Sequence, residues 1–424
     1  MKKLYLILLL TLAAVMLVLG IWSAVNIAPP AFAAENLLDG SYTTQLDDCY
    51  TENFLFRNFF LSVNRVLNRF YYFSAADNLL TIDYQGGAEH GGISLNESAE
   101  ETTEQPAVEK PRVENPAEED VTSVGTIIIN GNRAMDIPTA ENENIVLYGQ
   151  TVSALAAAMP DGVRTFSLVT PNSGEFYSPT SFHTGIHDQK AMIDLCYGNM
   201  AENVTTVDAY SVISAHADEY LFFRTDHHWT QKGAYYAYTA FCEKAGFTAP
   251  PLDRYETGTY ENFVGSMYNY TADYPQSKTL KEQPDTLTYY LPRVETNAAY
   301  YASGSLQNGR KIPVVDTALR EEINNKYLCY ISGDTPVCVI ESSAQGGTCL
   351  VLKESYGNAF IPFLTEHYSK VIAIDPREFS GKDEPTLDIA AFAAEQQVDD
   401  LLVLNYPFMM SNAAYIGYLE ALLP

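Results

Sequence analysis

Short runs of branched and aliphatic residues predict strands at Arg164–Thr170, Thr205–Ala209, Cys349–Lys353, Lys370–Asp375 and Asp400–Asn405. Between them, apolar positions three and four apart predict helices at Thr151–Met159, Gln189–Met200, Thr230–Ala245, Ala359–Tyr368 and Leu387–Gln397. This alternation predicts an α/β domain over residues 126–424, built on a parallel sheet covered on both faces. The domain opens with a strand and turn at Thr126–Arg133. The stretch Gly246–Asn325, rich in Tyr, Pro and Thr, lacks the rhythm and reads as an irregular insertion over one sheet edge.

Upstream the pattern changes. Lys2 and Lys3 are followed by no charged residue until Glu35, and Leu4–Ala28 is almost wholly apolar. Residues 1–34 therefore predict a signal peptide or a membrane anchor. Either one places the rest of the chain in the cell envelope or outside the cell, with the membrane touched only through this segment. Pro29-Pro30, followed by the small residues Ala31 and Ala33, favours cleavage. Residues 35–92 are expected to be an N-terminal helical segment, since Leu55, Phe59, Val63, Val66 and Phe70 give Glu52–Phe70 an apolar stripe near helical spacing. Residues 93–125 are an acidic Pro/Glu-rich linker with too few aliphatics to offset its ordering entropy, and they predict disorder.

Composition narrows the function. The 424 residues are 47% hydrophobic and 18% charged, which is globular, and their net charge of −28 argues against nucleic acid and anionic lipid as partners. Six cysteines are too sparse for a disulfide-stapled scaffold, and none has zinc-site spacing. Cys329 and Cys338 flank an expected hairpin turn at Gly333-Asp334 and are placed to face each other. Most of the six read as buried apolar residues.

In a parallel α/β sheet, ligands bind beyond the carboxyl ends of the strands, so catalytic residues are sought just after a strand or at the entry to a helix. Two segments qualify. In Arg224-Thr225-Asp226-His227-His228-Trp229-Thr230, Asp226 and His228 sit two apart. An extended turn puts their side chains on one side. The carboxylate then fixes the imidazole tautomer and leaves the other nitrogen free to take a proton, while Thr230 caps the following helix. His227 reads as structural. In Leu352-Lys353-Glu354-Ser355-Tyr356-Gly357-Asn358, Ser355 lies between a strand and a helix. An N-capping serine is common there; the same placement suits an activated serine, beside backbone N–H groups of the helix start that can hold a developing oxyanion.

The two segments together, with Gly233-Ala234-Tyr235-Tyr236, Phe263-Val264-Gly265-Ser266-Met267-Tyr268 and Ile374-Asp375-Pro376-Arg377, resemble the DHHW family of exported bacterial proteins. That family is similar to the SGNH-like domains of alginate O-acetyltransferases. The resemblance implies a flavodoxin-like three-layer fold with Ser355 as nucleophile, His228 as general base and Asp226 as its orienting carboxylate. It also implies acetyl transfer or ester hydrolysis on a cell-surface polysaccharide, with no cofactor and with a possible membrane protein as acetyl donor. This chain has Lys353-Glu354-Ser355 where the usual block is Gly-Asp-Ser. Gly265 and Asn405 are weaker candidates for oxyanion contacts, and Arg377 for an anionic group of the substrate.

Two other classes compete. Asp-His-His also occurs in metal-dependent phosphoesterases, but the further Asp cluster that two metals need is missing upstream. His183 and His187 lie in a stretch broken by Gly185 and Pro179, without the Glu of a zinc protease, so no metal is expected. A non-catalytic cell-envelope protein that binds carbohydrate or assists assembly would use the 30 tyrosines as well as an enzyme would.

Overall fold

The computed structural model describes residues 121–379 and 387–424. The predicted signal or anchor, the helix Glu52–Phe70 and most of the acidic linker lie outside the described residues. Among the described residues, no helix is long and apolar enough to cross a membrane.

The described chain opens with an antiparallel meander of β1 (Thr122–Val124), β2 (Ile127–Asn130) and β3 (Arg133–Asp136). The β2–β3 turn contains Gly131 at φ 58°, a left-handed conformation that favours glycine. The segment 121–125, expected to belong to the linker, thus already contains a strand.

The main sheet takes β4 (Arg164–Val169) and β5 (Val204–Val207) first. After an outlying hairpin of β6 (Thr257–Phe263) and β7 (Asp285–Tyr290), it adds β8 (Thr296–Tyr301), β9 (Arg310–Ile312), β10 (Val337–Ser342), β11 (Thr348–Lys353), β12 (Lys370–Ile374) and β13 (Asp400–Asn405). Its order is β5-β4-β13-β11-β12-β10-β8-β9. The first five strands are parallel, as expected, but β10, β8 and β9 run antiparallel to their neighbours. The sheet is therefore mixed and not purely parallel. The physical reason is that β8 and β9 form a hairpin and no crossover helix precedes β10, so nothing returns the chain to the parallel direction. The supposed irregular insertion accordingly contains two antiparallel strand pairs, β6–β7 with short helices in its connection and β8–β9, which extends the sheet.

Strand residues alternate between two cores. Phe166, Val351, Ala373 and Leu404 face one, and Val169, Leu352, Ile374 and Val403 the other. The first core is closed by α3 (Ala209–Ser214), α4 (Gln231–Ala245) and α5 (Gly357–Leu364), and the second by α1 (Asn142–Ala158), α2 (Gln189–Gly198), α6 (Ile389–Gln396) and α7 (Ala413–Glu420). This gives the expected three layers.

Helix α1 begins nine residues before the predicted start (151 − 142). Gly149 within it is a contact point. A Cβ there would lie 2.8 Å from the Cys196 carbonyl oxygen on α2, so only glycine allows the helices to approach. Cys196, Cys242, Cys329, Cys338 and Cys349 are all buried free thiols. Cys329 ends a 3₁₀ turn and Cys338 lies within β10, so the expected hairpin between them is not formed.

Candidate active site

Residues 221–230 fold back on themselves as a tight loop. Phe222 and Trp229 form an antiparallel bridge, the Phe223 N–H donates to the His228 carbonyl at 3.2 Å, and Thr230 N–H to the Leu221 carbonyl at 2.8 Å. Thr230 Oγ1 then caps α4 by accepting from Gly233 N–H at 3.2 Å, as its sequence position implies. Within the loop, Asp226 Oδ1 accepts from the His228 backbone N–H at 3.0 Å and from His228 Nδ1 at 2.6 Å. A carboxylate can only accept, so the proton is on Nδ1 and Nε2 is left with its lone pair. That nitrogen is 2.8 Å from Ser355 Oγ.

Ser355 stands in the turn from β11 to α5, and from Val351 to Phe360 it alone is not buried. Glu354 Oε2 holds the turn by accepting the Tyr356 N–H at 3.0 Å. The block departs from Gly-Asp-Ser by using glycine two residues after the serine. A Cβ at Gly357 would lie 2.6 Å from Lys353 Cβ, so the bare glycine gives the lysine stem its path. The Lys353 ammonium, buried, reaches Asp334 at 2.9 Å and Asp375 at 3.6 Å. Asn358 Nδ2 also donates to Asp334, at 3.0 Å.

Aromatic groups fasten the two segments together. Trp229 Nε1 donates to the Tyr356 carbonyl at 2.9 Å, and Tyr356 Oη donates back to the His227 carbonyl at 2.5 Å. The Tyr327 ring lies flat on His228, with centroids 3.8 Å apart and planes 9° from parallel, and its hydroxyl donates to the Ser355 carbonyl at 3.2 Å. Tyr327 has no signal in the sequence, because it comes from a 3₁₀ turn without periodic pattern.

The DHHW protein family matches residues 107–374. This chain belongs to the DHHW family. A crystal structure of a DHHW family protein from Eubacterium siraeum is similar at 26% identity and TM-score 0.62, covering 72% of this chain and 98% of that one. Bacillus cereus PatB1, solved with a sulfonyl adduct, shares the fold at 16% identity and TM-score 0.54, covering 68% of this chain and 96% of its own. The O-acetyltransferase domain of Pseudomonas putida AlgJ matches at 15% identity and TM-score 0.34, over 66% of this chain and 89% of that one. No curated protein sequence matches the chain.

In this DHHW protein the four motif residues divide the work. Burial opposes charge on Asp226. It is outweighed by the charge and hydrogen bond of His228, the charge of His227 and the Ser266 N–H, which donates to Asp226 Oδ2 at 2.8 Å; together they hold the carboxyl well below the usual range. His227 is held by Ser266 Oγ at 2.6 Å from its Nδ1, and burial, then the charge of His228, lowers it to about 4. Trp229 is the clamp. The ligand-type atoms of Asp226, His227 and His228 lie within 4.8 Å of one another, but both Asp226 oxygens and both His228 nitrogens are already engaged in the hydrogen bonds above.

The weaker sequence candidates are placed differently from expectation. Gly265 donates its N–H to Thr225 Oγ1 at 3.1 Å, so that N–H is not turned toward an oxyanion; a Cβ there would lie 2.4 Å from Asp226 Oδ2. Gly265 thus makes room for the carboxylate. Asn405 is fully buried, accepting from Tyr148 Oη at 2.7 Å and donating to Tyr415 Oη at 2.7 Å. Its amide locks α1 and α7 to the sheet. Arg377 is bound to Asp375 at 2.6 Å and Asp334 at 2.9 Å, which makes it a partner in the Lys353 cluster and engages the fork that an anionic substrate would need. The helix-start N–H groups fare likewise: Tyr356 bonds Glu354 Oε2, Gly357 the Glu354 carbonyl at 2.9 Å, and Asn358 the Ser355 carbonyl at 3.1 Å. These three are not free to hold an oxyanion. His183 and His187 lie apart from one another's chemistry, bonded through Nδ1 to Ser178 Oγ and to the Pro138 carbonyl, both at 3.0 Å.

Sequence reading also missed Asp285. This buried carboxylate of β7 accepts from the Arg224 and Thr225 N–H groups at 3.0 and 2.8 Å, from Thr225 Oγ1 at 2.8 Å and from Arg224 Nε at 2.9 Å. The insertion therefore shapes the start of the histidine loop.

Proposed function

We propose that this DHHW protein is a serine-dependent acyl-transfer enzyme of the cell envelope, moving or removing an acetyl group on a cell-surface polysaccharide. The observation that carries the reading is the continuous relay Asp226–His228–Ser355, with contacts of 2.6 and 2.8 Å. His228 Nε2 takes the Ser355 proton as Oγ attacks the acetyl carbonyl, and Asp226 stabilises the imidazolium that forms. The proton then passes to the leaving group, giving an acetyl-serine. In the second half His228 deprotonates a sugar hydroxyl or a water, which attacks the acetyl-serine and frees Ser355. This cycle uses no metal or cofactor. The choice of acetyl, of a polysaccharide and of a membrane acetyl donor rests on the resemblance of the DHHW family to alginate O-acetyltransferases, and export rests on the N-terminal pattern.

The test is turnover of a chromogenic acetyl ester by the purified protein, with Ser355→Ala beside it. Turnover that Ser355→Ala abolishes and a chelator leaves unchanged is expected. Equal turnover by the variant removes Ser355 as nucleophile, and loss on chelation that added zinc restores favours a metal hydrolase. The PatB1 adduct suggests a second probe: a sulfonyl fluoride, which should label Ser355 and no other serine.

A further inference from the structure

The two oxygens of Glu354 are in unequal surroundings. The side chain is fully enclosed; Oε2 accepts the Tyr356 N–H, whereas Oε1 is buried without a hydrogen-bond partner. Oε2 also lies 3.3 Å from Ser355 Oγ. The Ser355 hydroxyl has one proton and two acceptors within reach, His228 Nε2 at 2.8 Å and Glu354 Oε2 at 3.3 Å.

Which acceptor wins depends on the charge of Glu354, because an ionised carboxylate is a far stronger acceptor than the carbonyl oxygen of a neutral acid. Burial raises Glu354 to about 7. Among the charged groups facing it, Arg377 favours ionisation, while Asp334 and Asp375 oppose it. The phenols of Tyr148, Tyr327, Tyr406 and Tyr415 lie within electrostatic reach of it and bring no compensating charge. His228, paired to Asp226, faces it across Ser355.

Resting on the reading of Ser355 as nucleophile, we propose that Glu354 and His228 compete for the Ser355 hydroxyl proton, so that Ser355 is activated only while Glu354 is uncharged. Two effects act in the same direction. An ionised Glu354 turns the O–H away from His228. It also sets a negative charge beside Oγ, which takes on negative character as its proton leaves for His228. Glu354 is thus a positioning residue whose neutral form is the working one.

The experiment is the second-order rate of labelling of the full chain by phenylmethylsulfonyl fluoride from pH 6 to 9, corrected for hydrolysis of the reagent. The wild-type rate is expected to fall above pH ~7, approaching about tenfold per pH unit as the single carboxyl ionises. Glu354→Gln, which keeps an acceptor and cannot ionise, is expected to hold its rate over the same range. A variant that shows the wild-type alkaline fall overturns the proposal, as does one that is slower by a constant factor at every pH, which is the mark of a merely structural role. If the variant does not fold, the wild-type profile still decides, since a rate flat or rising from pH 7 to 9 overturns the competition. Absence of labelling at every pH is a different result, and it removes the nucleophile and the proposal together.

Discussion

The Trp229 indole donates its Nε1–H to the Tyr356 carbonyl at 2.9 Å, joining the histidine loop to the serine turn across 127 residues of chain. Trp229→Phe keeps an aromatic ring against Tyr356 and Phe360 but leaves that carbonyl without its donor. The expected loss is about 1–3 kcal/mol of stability. A slackened His228–Ser355 contact should also lower ester turnover roughly tenfold or more. Thermal unfolding and steady-state turnover check both, and full turnover by a destabilised variant would mean that the tryptophan supports the fold alone.

Asp226 and Gly265 test the orientation of His228 from two sides. Asp226→Asn replaces an acceptor with an amide that favours the wrong imidazole tautomer, and turnover should drop by about 10⁴-fold if Asp226 plays the triad role, with folding preserved. Gly265→Ala places a methyl 2.4 Å from the Asp226 carboxylate oxygen and should push it aside. Loss of turnover in both variants, with binding of a non-hydrolysable ester retained, is the expected pattern. An active Gly265→Ala protein would show that the carboxylate tolerates displacement.

Stability should carry a signature of Asp136. Burial raises this carboxyl to about 6, against the favourable charge of His227. Its stabilising contribution is therefore full below the unfolded value near 4 and is lost as pH rises through about 6. Once the group is ionised the loss is up to ~3 kcal/mol, and less for a side chain still partly open to solvent. The wild-type melting temperature should fall more between pH 5 and 8 than that of Asp136→Asn. Parallel curves for the two proteins would contradict this.

Lys353→Met removes the buried ammonium from between Asp334 and Asp375, leaving Arg377 as their remaining cation among the described residues. Breaking one partner of such a buried cluster is expected to cost about 3–5 kcal/mol. Chemical denaturation would measure it. A neutral effect would mean that Arg377 alone balances the two carboxylates.

The inner parallel strands were legible in the sequence because they are buried on both faces and read as apolar runs; Asp400–Asn405 is recovered residue for residue. The antiparallel strands were not. Thr296–Tyr301 and Arg310–Ile312 are polar or half-exposed, and the apolar part of Val337–Ser342 is short and closely follows the turn residues Gly333-Asp334. At the site, Asp226, His228 and Ser355 stood out because a motif loop and a strand-to-helix turn are local patterns. Tyr327, Asp285 and the partners of Gly265, Asn405 and Arg377 become visible only in three dimensions. Each acts through a contact with a distant segment, and no spacing encodes that.

Asp285 gives the outlying hairpin a significance that its irregular sequence conceals. Tyr220, Arg224 and Thr225 all donate to this one residue of β7. The histidine loop and the hairpin must therefore be inherited as a unit. A chimaera that receives the Asp226–Trp229 tetrapeptide from one homologue and residues 257–290 from another would keep every motif letter and lose the template that gives the loop its shape.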